Sequence, residues 1–177
     1  MKTTQILIAG FGGQGILFAG KFLAYKGLLE DLQVSWLPSY GPEMRGGTAN
    51  CNVILSEEPV GSPIVTSPDV LIAMNLPSYE KFIKAVVPGG KVFIDSSLIS
   101  GKVDREDVEA FYVPATTLAE ENDLKGLANI ILLGKVFKEV GFSSEEALHK
   151  AIEKCVPARK AHLKDANLKA IQMGMSL

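Results

Sequence analysis

The feature that most constrains this 177-residue chain is Gln5-Ile6-Leu7-Ile8-Ala9-Gly10-Phe11-Gly12-Gly13-Gln14-Gly15, where an apolar run breaks into four glycines within six positions. A second apolar stretch, Ile16 to Tyr25, follows at once. Strand, glycine turn and helix in that order contain Gly10-x-Gly12-x-x-Gly15 and predict the start of a βαβ unit. Gly10 permits a sharp exit from the strand, and Gly12 lets the backbone approach a bound group. Gly15 lets helix and strand pack closely, while the helix N-terminus offers free N–H groups to an anion. A dinucleotide site also needs a carboxylate at the end of the second strand, to hold a ribose hydroxyl. The second predicted strand, Gln33 to Leu37, ends in Leu37-Pro38-Ser39, and Glu30 and Asp31 precede it at the wrong end. Two readings of the turn stand open: an NAD(P) site, or a glycine turn used for packing and for a partner.

The length predicts a single domain, residues 1–177, large enough for a substantial core. A composition of 47% hydrophobic and 21% charged residues is that of a folded protein and excludes disorder. A net charge of −2 gives no global argument for nucleic acid or an anionic membrane as partner. Met1-Lys2-Thr3-Thr4 runs straight into the first strand, and no apolar run approaches the roughly 20 residues of a membrane helix. A cytoplasmic protein without signal peptide or membrane span is therefore expected. Cys51 and Cys155 are the only cysteines and His149 and His162 the only histidines. No CxxC, HExxH or GxSxG occurs, so a metal site, a self-contained iron–sulfur cluster and the common hydrolase arrangements are not expected.

Further along, the first helix is predicted from Gln14 to Lys26, with Gly27 as a left-handed cap. Ile16, Ala19, Gly20 and Leu23 form one apolar face, and Phe18, Phe22 and Tyr25 another. A helix apolar on two sides must be covered on both, by the C-terminal helices of the same chain or by a second subunit. Strands are predicted at Thr48–Leu55, Asp69–Met74, Lys91–Asp95 and Ala110–Val113, with a short extra one near Val60–Val65. Helices are predicted at Pro77–Val86, from Thr116 or Thr117 to Glu121, and along the stripe Leu127, Ile130, Ile131, Gly134, Phe137 and Val140. A capping box, Ser143-Ser144-Glu145-Glu146, opens a helix that runs to Cys155, and a last helix spans about Ala158 to Gln172. Strands alternating with helices give an α/β fold: a Rossmann-like, doubly wound, mostly parallel sheet with helices on both faces and a helical C-terminal third.

In such sheets ligands meet the carboxyl ends of the strands. That rule places Gly10, Gly12, Gly13, Gln14 and Gly15 beside the loop carrying Ser39, Tyr40, Glu43, Arg45, Gly46 and Gly47, with Asn75 and Asp95-Ser96-Ser97 at the same end. Arg45 can pair with Glu43 or take a carboxylate or phosphate in its fork. Asn75 and Ser96 have an ordinary explanation as helix caps, and Asp95 as a cap of the following turn. Phe18, Phe22 and Tyr25 are the interface candidates. No residues form a nucleophile-and-base set, so no catalytic residue is assigned within this chain alone.

The run Gly10-Phe11-Gly12-Gly13-Gln14-Gly15, the run Pro38-Ser39-Tyr40-Gly41-Pro42-Glu43-Met44-Arg45-Gly46-Gly47-Thr48-Ala49, Ser62-Pro63 and Asp69-Val70-Leu71-Ile72-Ala73-Met74-Asn75 together resemble the gamma subunit of 2-oxoacid:ferredoxin oxidoreductases. Pro114-Ala115-Thr116 and the helix holding Asn129 and Gly134 extend the likeness over essentially the whole chain. The Ser-Tyr-Gly-Pro-Glu-Met-Arg-Gly-Gly-Thr-Ala version is most like the 2-oxoglutarate type, with the pyruvate and branched-chain types close behind. The resemblance implies a multisubunit enzyme that converts a 2-oxoacid and coenzyme A to acyl-CoA and CO2 while reducing ferredoxin. It implies alpha, beta and delta (ferredoxin-like) partner subunits, which hold the thiamine diphosphate, Mg²⁺ and iron–sulfur clusters, with none of these bound by this chain alone. A homodimer is one state open to the isolated chain. The other classes are a stand-alone NAD(P)-dependent reductase and a nucleotide- or CoA-binding module.

Overall fold

A computed structural model describes residues 3–39, 48–141 and 145–177. Six strands, β1 (Thr3–Phe11), β2 (Gln33–Ser39), β3 (Thr48–Ser56), β4 (Val70–Ala73), β5 (Lys91–Asp95) and β6 (Glu109–Val113), form one sheet in the order β2-β3-β1-β4-β5-β6. The apolar run that opens the chain lies at its centre, with Ile6, Leu7, Ile8 and Ala9 all buried. A strand covered on both faces is a continuous apolar run rather than an alternating one, as β4 also shows.

The sheet is mixed. Pairings are parallel from β1 through β4 and β5 to β6, whereas β3 runs antiparallel to both β1 and β2. The stretch between Ser39 and Thr48 is shorter than the dozen or so residues of a parallel crossover, so β3 returns beside the strand it leaves. The strand expected next to β1 is thereby moved to the sheet edge, with β3 between them.

Helix α1 (Ile16–Leu29) answers the puzzle of its two apolar faces. One face lies on β2 and β3; the other packs against α4 (Ala128–Val140) and α5 (Glu145–Cys155). Phe22 is 1% exposed and meets the Phe137 ring at 5.8 Å between centroids. As an interface candidate it is corrected: the same chain's C-terminal helices cover it. Phe18 and Tyr25 stay half-buried on the margin of that core. Gly27 does not cap the helix but lies inside it, where a Cβ would come within 2.6 Å of the Leu55 side chain, and Asp31 takes the left-handed turn instead.

Among the described residues three further α-helices complete the layers, α2 (Leu76–Phe82), α3 (Ala115–Glu121) and α6 (Lys164–Ser176), with α4 and α5 already placed. The main core joins α1, α3, α4, α5 and α6 to one sheet face through Ile8, Ile72, Phe93, Ile131 and Phe137. A smaller core under α2 covers Leu71, Val92 and Ile94 on the other. Arg105 fastens that second layer by donating to the carbonyls of Ile83 and Val86 while pairing with Asp107. No strand forms at 60–65, where Pro63 lacks the donor a ladder needs and Pro59 and Pro68 flank the segment. The last helix follows a 3₁₀ turn, Ala158–Leu163, and reaches Ser176, beyond the expected end. Among the described residues no helix is long and apolar enough to cross a membrane.

Candidate functional site

The carboxyl ends of β1, β2, β4, β5 and β6 share one end of the sheet, where β3 begins. Gly10–Gly15, Ser39, Asn75 and Asp95 all lie there, as the carboxyl-end rule requires. They do not all meet. The register sets Ser39 opposite Asn50 and Asn50 opposite Ala9, so two strand spacings, about 10 Å, separate Ser39 from the glycine turn. Tyr40, Glu43, Arg45, Gly46 and Gly47 lie outside the described residues.

The turn is held by its own side chains. Gln14 folds back over the end of β1: its Oε1 accepts the Phe11 N–H at 2.6 Å, and its Nε2 donates to the Met74 carbonyl at 3.0 Å. Asn75 Nδ2 also approaches Gln14 Oε1, at 3.5 Å, while Asn75 Oδ1 caps α2 by accepting the Ser78 N–H at 2.8 Å. Gly10 leaves the space that the ends of the Gln14 and Ile16 side chains fill: a Cβ there would lie 2.6 Å from Gln14 Oε1 and 2.7 Å from Ile16 Cδ1. Positive φ falls on Gly13 (+95°) and Gly15 (+73°). At Gly15 the tight neighbour is not the strand but Asn129, whose Nδ2 donates to the Gly15 carbonyl at 3.0 Å. Among the described residues no side chain caps the first turn of α1, and Gly12 and Gly13 just before it are exposed.

Two clefts flank this turn. One, of about 230 Å³, is lined by Gly13, Gln14, Met74, Leu98, Thr116 and Lys125 among others, and Glu120, Gly126 and Ala128 complete its far wall. The other, of about 240 Å³, is lined by Phe11, Gly12, Gly15, Leu17, Phe18 and Ala49. Phe18, an interface candidate on sequence, thus borders the turn. Asp95 is fully buried and accepts from the backbone of Ser97 and from the N–H and hydroxyl of Thr116, at 3.1, 3.3 and 2.5 Å. It caps α3 and thereby holds Thr116, a residue of the cleft wall, while its own carboxylate stays buried. Tyr25 lines a separate apolar groove with Lys21, Leu28, Val34 and Trp36.

Neither thiol is poised for chemistry. Burial pushes Cys51 up to about 12 and Cys155 up to about 11, so both remain thiols at neutral pH. Buried Lys26 pairs with Glu30 at 2.6 Å, and desolvation lowers its pKa against that pairing. Two cysteines cannot supply the four thiolates of an iron–sulfur cluster, and no group of three or more metal-ligating side chains occurs among the described residues. The far wall of the first cleft, Glu120 to Ala128, was not legible in the sequence. It runs on from the end of α3 in no recognisable motif, with the backbone turning at Asp123 (φ of +56°) and Gly126 (φ of +81°).

The NAD(P) reading loses its geometry. With β3 inserted, the end of β2 is not adjacent to β1, and the Phe11 N–H at the strand exit is already taken by Gln14.

Comparison with known proteins identifies the family. The family described as pyruvate ferredoxin/flavodoxin oxidoreductase matches residues 5–177. The chain is 41% identical, over 96% of its length, to ketoisovalerate oxidoreductase subunit VorA of Methanothermobacter thermautotrophicus, of which it spans 35%. It is 38% identical over 86% of its length to 2-oxoglutarate synthase subunit KorC of Methanocaldococcus jannaschii, covering 83% of that protein. The gamma subunit of keto/oxoacid ferredoxin oxidoreductase from Geobacter sulfurreducens superposes with a TM-score of 0.83 at 29% identity, covering 98% of this chain and 96% of that one. The 2-oxoglutarate:ferredoxin oxidoreductase of Magnetococcus marinus, solved with 2-oxoglutarate, coenzyme A and succinyl-CoA bound, gives 0.89 at 25% identity over 99% of this chain and 31% of its own. The chain thus spans about a third of the longer relatives it matches and most of the shorter ones. With a match that runs from the first strand to the last residue, this chain belongs to the pyruvate ferredoxin/flavodoxin oxidoreductase family.

Proposed function

We propose that this chain is the gamma-type subunit of a multisubunit 2-oxoacid:ferredoxin oxidoreductase, and that its glycine-turn end helps to enclose coenzyme A. The complex would convert 2-oxoglutarate or a related 2-oxoacid to acyl-CoA and CO2 while reducing ferredoxin. Thiamine diphosphate, Mg²⁺ and the clusters would reside on alpha, beta and ferredoxin-like partner subunits. The observation that carries this reading is the pairing of family membership over residues 5–177 with an open, glycine-walled end at which the described residues form no nucleophile-and-base set. The first cleft offers Lys125 to a phosphate-bearing substrate beside the glycine turn, with Glu120 as the one carboxylate in its lining and apolar walls between them. That arrangement suits binding and covering such a substrate rather than breaking its bonds. Arg45 and Glu43 would add to that end the one guanidinium–carboxylate pair that the carboxyl-end loop carries.

Co-expression with the partner subunits tests the reading. The complete complex is expected to reduce ferredoxin only when both a 2-oxoacid and coenzyme A are supplied, and omission of this chain is expected to raise the KM for coenzyme A or abolish turnover. Equal activity with and without the chain would refute it. A panel of 2-oxoglutarate, pyruvate and ketoisovalerate separates the three substrate types, ketoisovalerate being favoured by the VorA likeness and 2-oxoglutarate by KorC.

A further inference from the structure

We propose that Gln14 and Asn129 are positioning residues that hold the Gly13–Gly15 turn from two sides and so set the opening of the adjoining cleft for a phosphate-bearing acyl acceptor. This rests on the reading that the glycine-turn end encloses coenzyme A. Gly13 and Gly15 both adopt left-handed backbone, with Gln14 between them. Such a segment has many conformations open to it, so its shape must be imposed by bonds from outside. Gln14 supplies three bonds on one side, its N–H donating to the Phe11 carbonyl at 3.2 Å and its side chain making two. Gln14 Oε1 takes the Phe11 N–H at the end of β1, and its Nε2 reaches the Met74 carbonyl just past β4. On the other side Asn129 Nδ2 holds the Gly15 carbonyl at 3.0 Å.

Asn129 lies in the first turn of α4, directly after Lys125, Gly126 and Ala128 of the opposite cleft wall. Its one bond therefore ties the two walls together. Packing alone does not account for an asparagine at this position. The side chain is 4% exposed, and its Oδ1 has no partner among the described residues. A leucine of similar size would fill the space without burying an unpaired acceptor. What the asparagine adds is the Nδ2 bond to the turn. The approach is so close that a Cβ on residue 15 would lie 2.4 Å from Nδ2, which ties the glycine and the asparagine to each other.

The test uses the reconstituted complex carrying Asn129→Leu, Asn129→Val or Gln14→Met. Each variant keeps approximate volume while removing the donor. The expected result is an assembled complex of unchanged melting temperature, whose KM for coenzyme A rises about tenfold, the scale of one net hydrogen bond, while the KM for the 2-oxoacid holds. Unchanged KM for coenzyme A overturns the proposal, and so does a loss in which both KM values and melting temperature move together. Should the Asn129 variants not assemble, Gln14→Met, at a half-exposed position, decides by the same criteria. A complex lacking this chain that retains the normal KM for coenzyme A would instead sink the functional reading itself.

Discussion

Gly174→Ala is expected to lower the thermal unfolding midpoint of the purified chain by about 10 °C. At the crossing of α4 and α6 a Cβ on Gly174 would lie 1.9 Å from the Ile131 carbonyl oxygen, and one on Gly134 would lie 2.3 Å from the Ile171 carbonyl oxygen. Both obstacles are backbone, so relief requires the helices to part rather than a side chain to turn. Overpacking of this kind costs about 1–3 kcal/mol or more, and the backbone contact places it at the upper end. For a chain of this size roughly 3 kcal/mol corresponds to about 6–12 °C. Gly61→Ala, where a Cβ meets nothing within 4 Å, is the matched control and should melt close to the parent. Equal midpoints for Gly174→Ala and Gly61→Ala, read by circular dichroism, would show that α6 does not pack in this manner.

Phe22→Glu is expected to abolish folding rather than to spoil assembly alone. The side chain is fully enclosed between the sheet, α4 and α5, and the nearest ring is Phe137. Substitution loses about 3–5 kcal/mol of packing and adds the cost of burying a carboxylate or protonating it. Against a total stability of about 5–15 kcal/mol this is enough to unfold most of the population. Leu28→Glu, on the same helix but 55% exposed in the groove with Tyr25 and Trp36, should leave the chain folded. A folded Phe22→Glu chain by one-dimensional NMR would return Phe22 to the subunit interface.

The sequence made the strand–turn–helix start legible because its signals are local. A central strand reads as an unbroken apolar run, and glycines mark where the backbone must turn. The buried β4 and the stripe of α4 were plain for the same reason. The antiparallel β3 was not, since strand direction depends on how a connection is routed, and Asn50, Cys51 and Asn52 carry no mark of direction. The two-sided apolarity of α1 was visible, but its cover was not. Whether α4 and α5 or another subunit lies over Phe22 is a question of tertiary packing that one helix cannot answer. At the site, Gly10 and Gly15 stood out while their reasons did not. Gly10 makes room for Gln14, and Gly15 makes room for Asn129, which lies 114 residues away along the chain.

Hydrogen exchange on the reconstituted complex, with and without coenzyme A, tests most directly whether the glycine-turn end of this chain faces that substrate. Slowed exchange is expected at residues 10–17 and 124–129, the two walls of the cleft, with no change along the edge strand 33–39. Unchanged exchange at both walls, in a complex shown to be active and saturated with coenzyme A, would contradict it.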